Sequence, residues 1–257
     1  MRVALVLALA LTLSALAGCD GDSGGDDGSA GDRLVVSAAA SLEPAFTAYA
    51  EATGIDAKQS FAGSDDLAAQ IRQGVTPDVY AAANTSLPDD LYRDDLVDEP
   101  VVFATNTLVL AVPADSDTGV DSVDDLAGNG VTLAIGDEGV PVGDYTREVL
   151  GRLGAPQADA ILANVRSEEP DVGGIVGKLT QGAVDAGFVY ATDVVATDGA
   201  LEAIDLPPRL QPDVAYGAAV VEGAENPEGA EDFIDGLLAG DGQRALEDAG
   251  FGPPPAA

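Results

Sequence analysis

The chain has 257 residues, with 45 acidic side chains against 11 basic ones, a formal net charge of −34, no histidine and a single cysteine. A chain this acidic is a poor partner for nucleic acid. The missing histidine excludes a His-based triad or a His-ligated metal, and one cysteine leaves neither a disulfide framework nor a cysteine metal site. The acid itself reads as solubility or adaptation to salt.

Arg2 opens the chain, Val3 to Leu13 is an apolar run broken only by Thr12, and Leu16-Ala17-Gly18-Cys19 follows. This is the build of a secretory signal peptide, shorter than the roughly 20 apolar residues that span a membrane. Its final cysteine resembles the bacterial lipobox, in which the thiol is acylated and becomes the new N-terminus. Residues 1–18 are therefore the expected signal and Cys19 the expected lipid anchor, an ordinary cleaved signal being the plainer alternative. Cleavage after Gly18 removes Arg2, so 10 basic against 45 acidic residues give −35. Asp20 to Asp32 holds only Gly, Asp, Ser, Ala and no large apolar side chain. It cannot bury enough surface to offset its ordering entropy, so residues 19–32 read as a flexible tether. About 225 residues remain, enough for one large domain or two lobes.

From Leu34 onward, short apolar runs alternate with segments of helical period. Strands are expected at Leu34 to Ala38, Ile55 to Phe61 and Asp78 to Ala82, with helices at Glu43 to Ala52 and Asp65 to Gln73. The rhythm returns with strands at Val131 to Ile135 and Ala186 to Tyr190, and helices at Asp144 to Leu153 and Val172 to Gln181. Such alternation argues for parallel sheets with crossover helices, here as two α/β lobes. Val101 to Val112 is extended and can carry the chain from one lobe to the other; Ala215 to Val221 can bring it back. Helices are expected at Pro227 to Leu238 and Gly242 to Ala249, and a frayed end from Pro253. No internal repeat is evident. Two lobes joined by two crossings leave a cleft at the hinge, a usual place for a small ligand.

Small polar residues stand at the strand-to-helix junctions. Ser41 precedes Glu43-Pro44, and Ser64 precedes Asp65-Asp66-Leu67. Both read as helix N-caps. The functional alternative is that their hydroxyls and the free N–H groups of a first helical turn converge on an anion. Further junctions lie at Gly136 to Gly143 and at Glu169-Pro170-Asp171-Val172. Tyr190 ends its strand, its hydroxyl directed either into a cleft or to a backbone partner.

These junctions carry a resemblance. Ala38-Ala39-Ala40-Ser41-Leu42, Ser60-Phe61-Ala62-Gly63-Ser64 and Pro77-Asp78-Val79-Tyr80 resemble the first lobe of the molybdate-binding proteins of ABC transporters. Asn106 to Pro113, Leu133 to Asp137, Val140 to Tyr145, Ala186 to Asp193, Ala218 to Gly223 and Gly250-Phe251 continue it in order across nearly the whole mature domain. The resemblance implies a two-lobed α/β periplasmic-binding-protein fold, with lobe 1 over 33–105 and 215–257 and lobe 2 over 106–214. It implies oxyanion contacts from the hydroxyls and N–H groups of Ser41 and Ser64, the backbone N–H of Val142 and Val172, and the Tyr190 hydroxyl. Val142 stands where the family usually has alanine, and Asp65 and Asp66 stand where small neutral residues are usual.

The implied function is a non-enzymatic lipoprotein on the outer face of the cell membrane that delivers molybdate or tungstate to an ABC importer. Its expected partners are the oxyanion, the permease and, through Cys19, the membrane; a monomer is expected, with no catalytic residue, no cofactor and no metal apart from the ligand's own. Another tetrahedral oxyanion, sulfate or phosphate, is the first alternative. A carboxylate-dependent secreted enzyme is the second, although no Asp/Glu pair stands out from the solvated background, and an adhesion lipoprotein is the third. An inward-turned Asp65 would repel a bare dianion but accept the proton of hydrogen phosphate. As a first-turn residue, its expected direction is outward.

Overall fold

The computed structural model describes residues 33–255 apart from 116 and 118. The expected signal peptide, the expected tether and Cys19 lie outside the described residues, as do 256 and 257. No helix among the described residues is long and apolar enough to cross a membrane.

Two five-stranded sheets organise the chain. The first holds β1 (Leu34–Ala39), β2 (Ala57–Ala62), β3 (Val79–Ala82), β4 (Val101–Asn106) and β10 (Val214–Val220), in the order β2-β1-β3-β10-β4. The second holds β5 (Leu108–Pro113), β6 (Leu133–Gly136), β7 (Val165–Glu169), β8 (Ala186–Tyr190) and β9 (Leu201–Asp205), in the order β7-β6-β8-β5-β9. In each sheet three strands run parallel, β2-β1-β3 and β7-β6-β8. An antiparallel pair completes each, β10 with β4 and β5 with β9. The topology therefore repeats although the residues do not.

Helices cover the sheets, which is why the central strands are apolar on both faces: β3, β6 and β8 are buried at every position. The first set is α1 (Glu43–Thr53), α2 (Ser64–Arg72) and α3 (Ser86–Arg93). The second is α4 (Pro141–Leu153), α5 (Ala155–Leu162), α6 (Val172–Thr180) and α7 (Ala191–Val195). α8 (Pro227–Leu238) and α9 (Asp241–Asp248) end the chain. Phe46 sits at the centre of one core, edge-on to Phe233 at 5.3 Å and tilted against Phe103 at 6.1 Å. Buried Asp78 clamps that lobe, its carboxylate accepting the Val35 N–H at 2.7 Å and the Asn226 N–H at 2.8 Å.

The chain leaves the first sheet at Asn106 and enters the second at Leu108, with Thr107 alone between, and it returns between β9 and β10. A single extended run thus becomes two strands in two sheets. The end beyond α9 is not simply frayed: Gly252 bridges to Thr105, whose hydroxyl donates to the Pro253 carbonyl at 2.9 Å.

Candidate functional site

The parallel strands of both sheets point their carboxyl ends at one place, where an open α/β sheet of this order leaves a crevice between diverging connections. Ser41 follows β1, Ser64 follows β2 and Ala83 follows β3. Val142 follows β6, Val172 follows β7, and Tyr190 ends β8. Ser41, Ser64, Val142, Val172 and Tyr190 all line a single cavity, together with Ala39, Ala40, Ala62, Gly63, Ala83, Val140, Pro141 and Asp171.

The cavity is small: the centre of a water-sized sphere can move through about 20 Å³ of it. Adding the roughly 1.4 Å radius of that sphere leaves room for one body of about 3 Å radius, the dimension of one tetrahedral oxyanion and not of a sugar or peptide. Ala39, Ala40, Ala62, Gly63 and Ala83 make much of its first-lobe wall, and their small side chains let main-chain groups come close. The two lobes meet beside it. A Cβ on Gly63 would lie 2.3 Å from the Pro170 carbonyl oxygen, which belongs to the opposite wall.

The two serines are not the N-caps their positions suggest. Leu42 caps α1, and Ser41 lies inside a 3-10 turn, Ala40–Leu42, with its Oγ 2.9 Å from the Tyr216 hydroxyl. Gly63 caps α2, so Ser64 is its first residue; the Ser64 Oγ accepts the Ala83 N–H at 3.1 Å, and its carbonyl accepts the Tyr80 hydroxyl at 2.7 Å. Each hydroxyl is held by a neighbouring strand rather than spent on its own helix.

Val142 is the second residue of α4, after Pro141, and Val172 is the first of α6. N–H groups in a first turn have no partner inside their helix, and the helix dipole places partial positive charge there. The α6 start is fixed by Asp171, whose carboxylate accepts the Gly174 N–H at 2.9 Å. The first turn of α4 is pressed against the end of β6 and the residue after it: a Cβ on Gly143 would lie 2.1 Å from the Asp137 carbonyl oxygen. Arg147 braces that turn, donating to the Gly136 and Gly143 carbonyls at 2.8 and 3.1 Å and to Glu168 at 3.1 Å.

The Tyr190 hydroxyl is buried and has no hydrogen-bond partner among the described residues. Burial, and then the nearby Tyr216, Tyr145, Asp193 and Asp144, push its pKa well above the usual phenol value, so it stays protonated. Its backbone N–H donates to Asp193 at 2.9 Å. Burial raises the Asp193 carboxyl to about 7, against the lowering effect of that N–H and with a further rise from the Asp171 charge. Asp65 departs from its expected outward direction. It is the second residue of α2, and its Oδ1 is buried without a hydrogen-bond partner among the described residues. Burial pushes its carboxyl up, opposed by the N–H groups of Asp65 and Asp66 and reinforced by the Asp66 and Asp144 charges. It does not line the cavity. Asp171 does, and it is the one charged side chain among the lining residues.

Tyr216, Asn106, Thr192, Asp193 and Arg147 were not singled out by the sequence as parts of a site. Their signals are those of ordinary strands and helices, and only the extended stretch Val101 to Val112 pointed to a crossing. The assembled donors, three hydroxyls and the first turns of three helices, suit a small group rich in acceptors.

A family model described as bacterial extracellular solute-binding protein matches residues 34–252. The chain belongs to that family. Among similar members, the molybdate-binding protein ModA of Mycobacterium tuberculosis is 33% identical over 227 residues, covering 86% of this chain and 85% of that protein. A Bacillus subtilis protein named as an ABC transporter substrate-binding lipoprotein, YvgL, is 26% identical over 246 residues, 92% of each. The periplasmic molybdate-binding protein of Azotobacter vinelandii superposes with a TM-score of 0.75 at 23% identity, covering 86% of this chain and all of that one, which confirms the two-lobed fold. Membership in the solute-binding family makes this an extracytoplasmic binding protein rather than an enzyme.

Proposed function

We propose that this solute-binding protein captures a fully deprotonated tetrahedral oxyanion, molybdate or tungstate, and delivers it to an ABC importer. The observation that carries the reading is the Tyr190 hydroxyl, buried and without a partner among the described residues, on a side chain that lines a cavity of single-ion size. In this reading Ser41, Ser64 and Tyr190 donate hydroxyls, and Ser41, Ser64, Val142 and Val172 donate N–H groups. Cys19 anchors the monomer to the outer face of the membrane, and the lobes 33–105 with 215–257 and 106–214 close on the ligand. A dianion needs no cationic side chain here, because donors fixed out of bulk water are electrostatically strong. Hydrogen bonds to a charged group contribute about 1.5–3 kcal/mol each. Several of them offset an association cost of roughly 4–15 kcal/mol.

One observation favours a second reading. Asp171 lines the cavity and offers an acceptor that hydrogen phosphate would use and molybdate would not. Thermal unfolding with molybdate, tungstate, sulfate and phosphate separates the two, since a ligand that binds only the folded state raises the melting temperature. Molybdate and tungstate are expected to give the largest shifts. A shift with phosphate alone would select the second reading, and indifference to all four would overturn both. Ser41→Ala with Ser64→Ala is expected to abolish most of the molybdate shift; retention of the parent's shift would refute the role given to these two residues.

A further inference from the structure

We infer that Tyr216 and Asn106, outside the cavity, set the direction of the Ser41 hydroxyl and so tune the site toward oxyanions that carry no proton. The inference rests on the oxyanion reading above.

Three side chains, half-buried Asn106 and buried Tyr216 and Ser41, form a chain across the hinge. Asn106, the last residue of β4, donates its Nδ2–H groups to the Thr192 hydroxyl at 2.9 Å and to the Tyr216 hydroxyl at 3.4 Å. Its Oδ1 accepts the Thr107 N–H at 2.8 Å, which fixes which end of the amide faces Tyr216. Tyr216 is fully buried, and its hydroxyl lies 2.9 Å from the Ser41 Oγ. Taken alone, the Ser41–Tyr216 bond has no set direction, because either hydroxyl can donate.

The amide sets it. An Nδ2–H₂ group has only protons to offer, so the phenol oxygen is the acceptor of that contact and must place its own proton elsewhere. Among the described residues, the Ser41 Oγ is the one acceptor within hydrogen-bond reach of that proton. Placing it anywhere else would leave a buried donor unpaired. The phenol is a neutral donor, because burial, and then the Asp193 charge, hold its pKa well above the usual value. The protons therefore run from Asn106 to Tyr216 to Ser41, and Ser41 turns its own proton to the cavity.

Ser64 is directed in the same sense by a different donor. Its Oγ accepts the Ala83 N–H at 3.1 Å, and its proton is left for the cavity. Two hydroxyls that would otherwise rotate to suit any ligand are held as donors. A fully deprotonated oxyanion accepts from both with any of its oxygens, whereas an oxyanion with one hydroxyl loses the orientations that set its proton against theirs and must turn that proton to another acceptor such as Asp171. Tyr216 and Asn106 are positioning residues in this scheme: they touch Ser41 and the hinge, not the ligand.

The test is the selectivity ratio, molybdate over hydrogen phosphate, measured by titration calorimetry of the purified protein at a mildly alkaline pH where both ligands are dianions. Tyr216→Phe removes one oxygen and frees Ser41 to rotate. Molybdate affinity is expected to fall about three- to tenfold, with hydrogen phosphate losing less, so the ratio narrows. Asn106→Asp keeps the side-chain size and turns the donor toward Tyr216 into an acceptor. Its added charge weakens both dianions alike, so the same narrowing of the ratio is expected. This second variant carries the test should Tyr216→Phe fail to fold. An unchanged ratio in a folded variant, whether both affinities hold or both fall together, would overturn the inference. A parent protein that binds no oxyanion would instead strike at the functional reading beneath it.

Discussion

Tyr190 presents a buried hydroxyl with no hydrogen-bond partner among the described residues, a cost the fold carries until a partner arrives. Tyr190→Phe removes that cost. Melting of the ligand-free variant is expected to match or exceed the parent's. Its affinity for molybdate is expected to drop by about tenfold or more, the worth of one hydrogen bond to a charged group, as read by calorimetry. Asp193, directly behind it, makes a prediction about pH. Its folded carboxyl titrates at about 7 against an ordinary value of 3.8. Between those values the folded state holds a proton that the unfolded state has released. Stability therefore falls as pH rises from about 4 to about 7, and the loss is absent below that window. Asp193→Asn keeps an acceptor for the Tyr190 N–H and removes the titration. Urea midpoints taken across the window are expected to slope less in the variant than in the parent.

At the scale of elements, the site is assembled from places where a strand stops and a helix starts. Gly143 shows how tight that joint is: a methyl group there would stand 2.1 Å from the Asp137 carbonyl and 2.5 Å from that of Gly136, both main chain. Gly143→Ala is expected to destabilise the fold by about 1–3 kcal/mol, measured by urea unfolding, and to weaken ligand binding as α4 tilts away. The strand-to-helix rhythm was legible wherever elements are central. β1, β3, β6 and β8 announce themselves as apolar runs because both faces are covered. β7 and β9 do not, since each is the edge of its sheet; Val165–Glu169 and Leu201–Asp205 bury little and carry charged residues along their exposed faces. α3 and α5 were missed because each is only eight residues long and buries few side chains, Pro88 and Leu91 in the first and Ile161 in the second. The junction residues could be named from local pattern and from resemblance. Their meeting in one cavity depends on strand order, which no local pattern carries. The capping role expected of Ser41 and Ser64 failed because the helix begins one residue away from where the hydroxyl would have been needed, after Leu42 and after Gly63.

The whole molecule is two similar sheets that touch beside a cavity through groups with no side chain between them. Gly63 has φ −59° and ψ 134°, a conformation open to any residue, so within its own lobe an alanine methyl would crowd only the Asp65 Oδ1 at 2.9 Å, the end of a side chain that can turn aside. Its methyl group would meet the Pro170 carbonyl at 2.3 Å across the cleft. Gly63→Ala is expected to fold with nearly the parent's stability, to show a larger radius of gyration by small-angle scattering when ligand is present, and to bind more weakly. The surface charge of −34 acts on a different quantity. Exposed charges beyond a Debye length of about 10 Å are largely screened, so the acidic surface retards the approach of an anion at low salt more than it loosens a closed complex.

The size of the cavity also sets a clock. Once the lobes of the proposed site have closed over a single ion, residence time is governed by how often they part rather than by the strength of any one hydrogen bond. Cargo held this way leaves quickly only where something else holds the lobes apart. A surface that grips both lobes at once can therefore empty the chamber without competing for a single donor inside it.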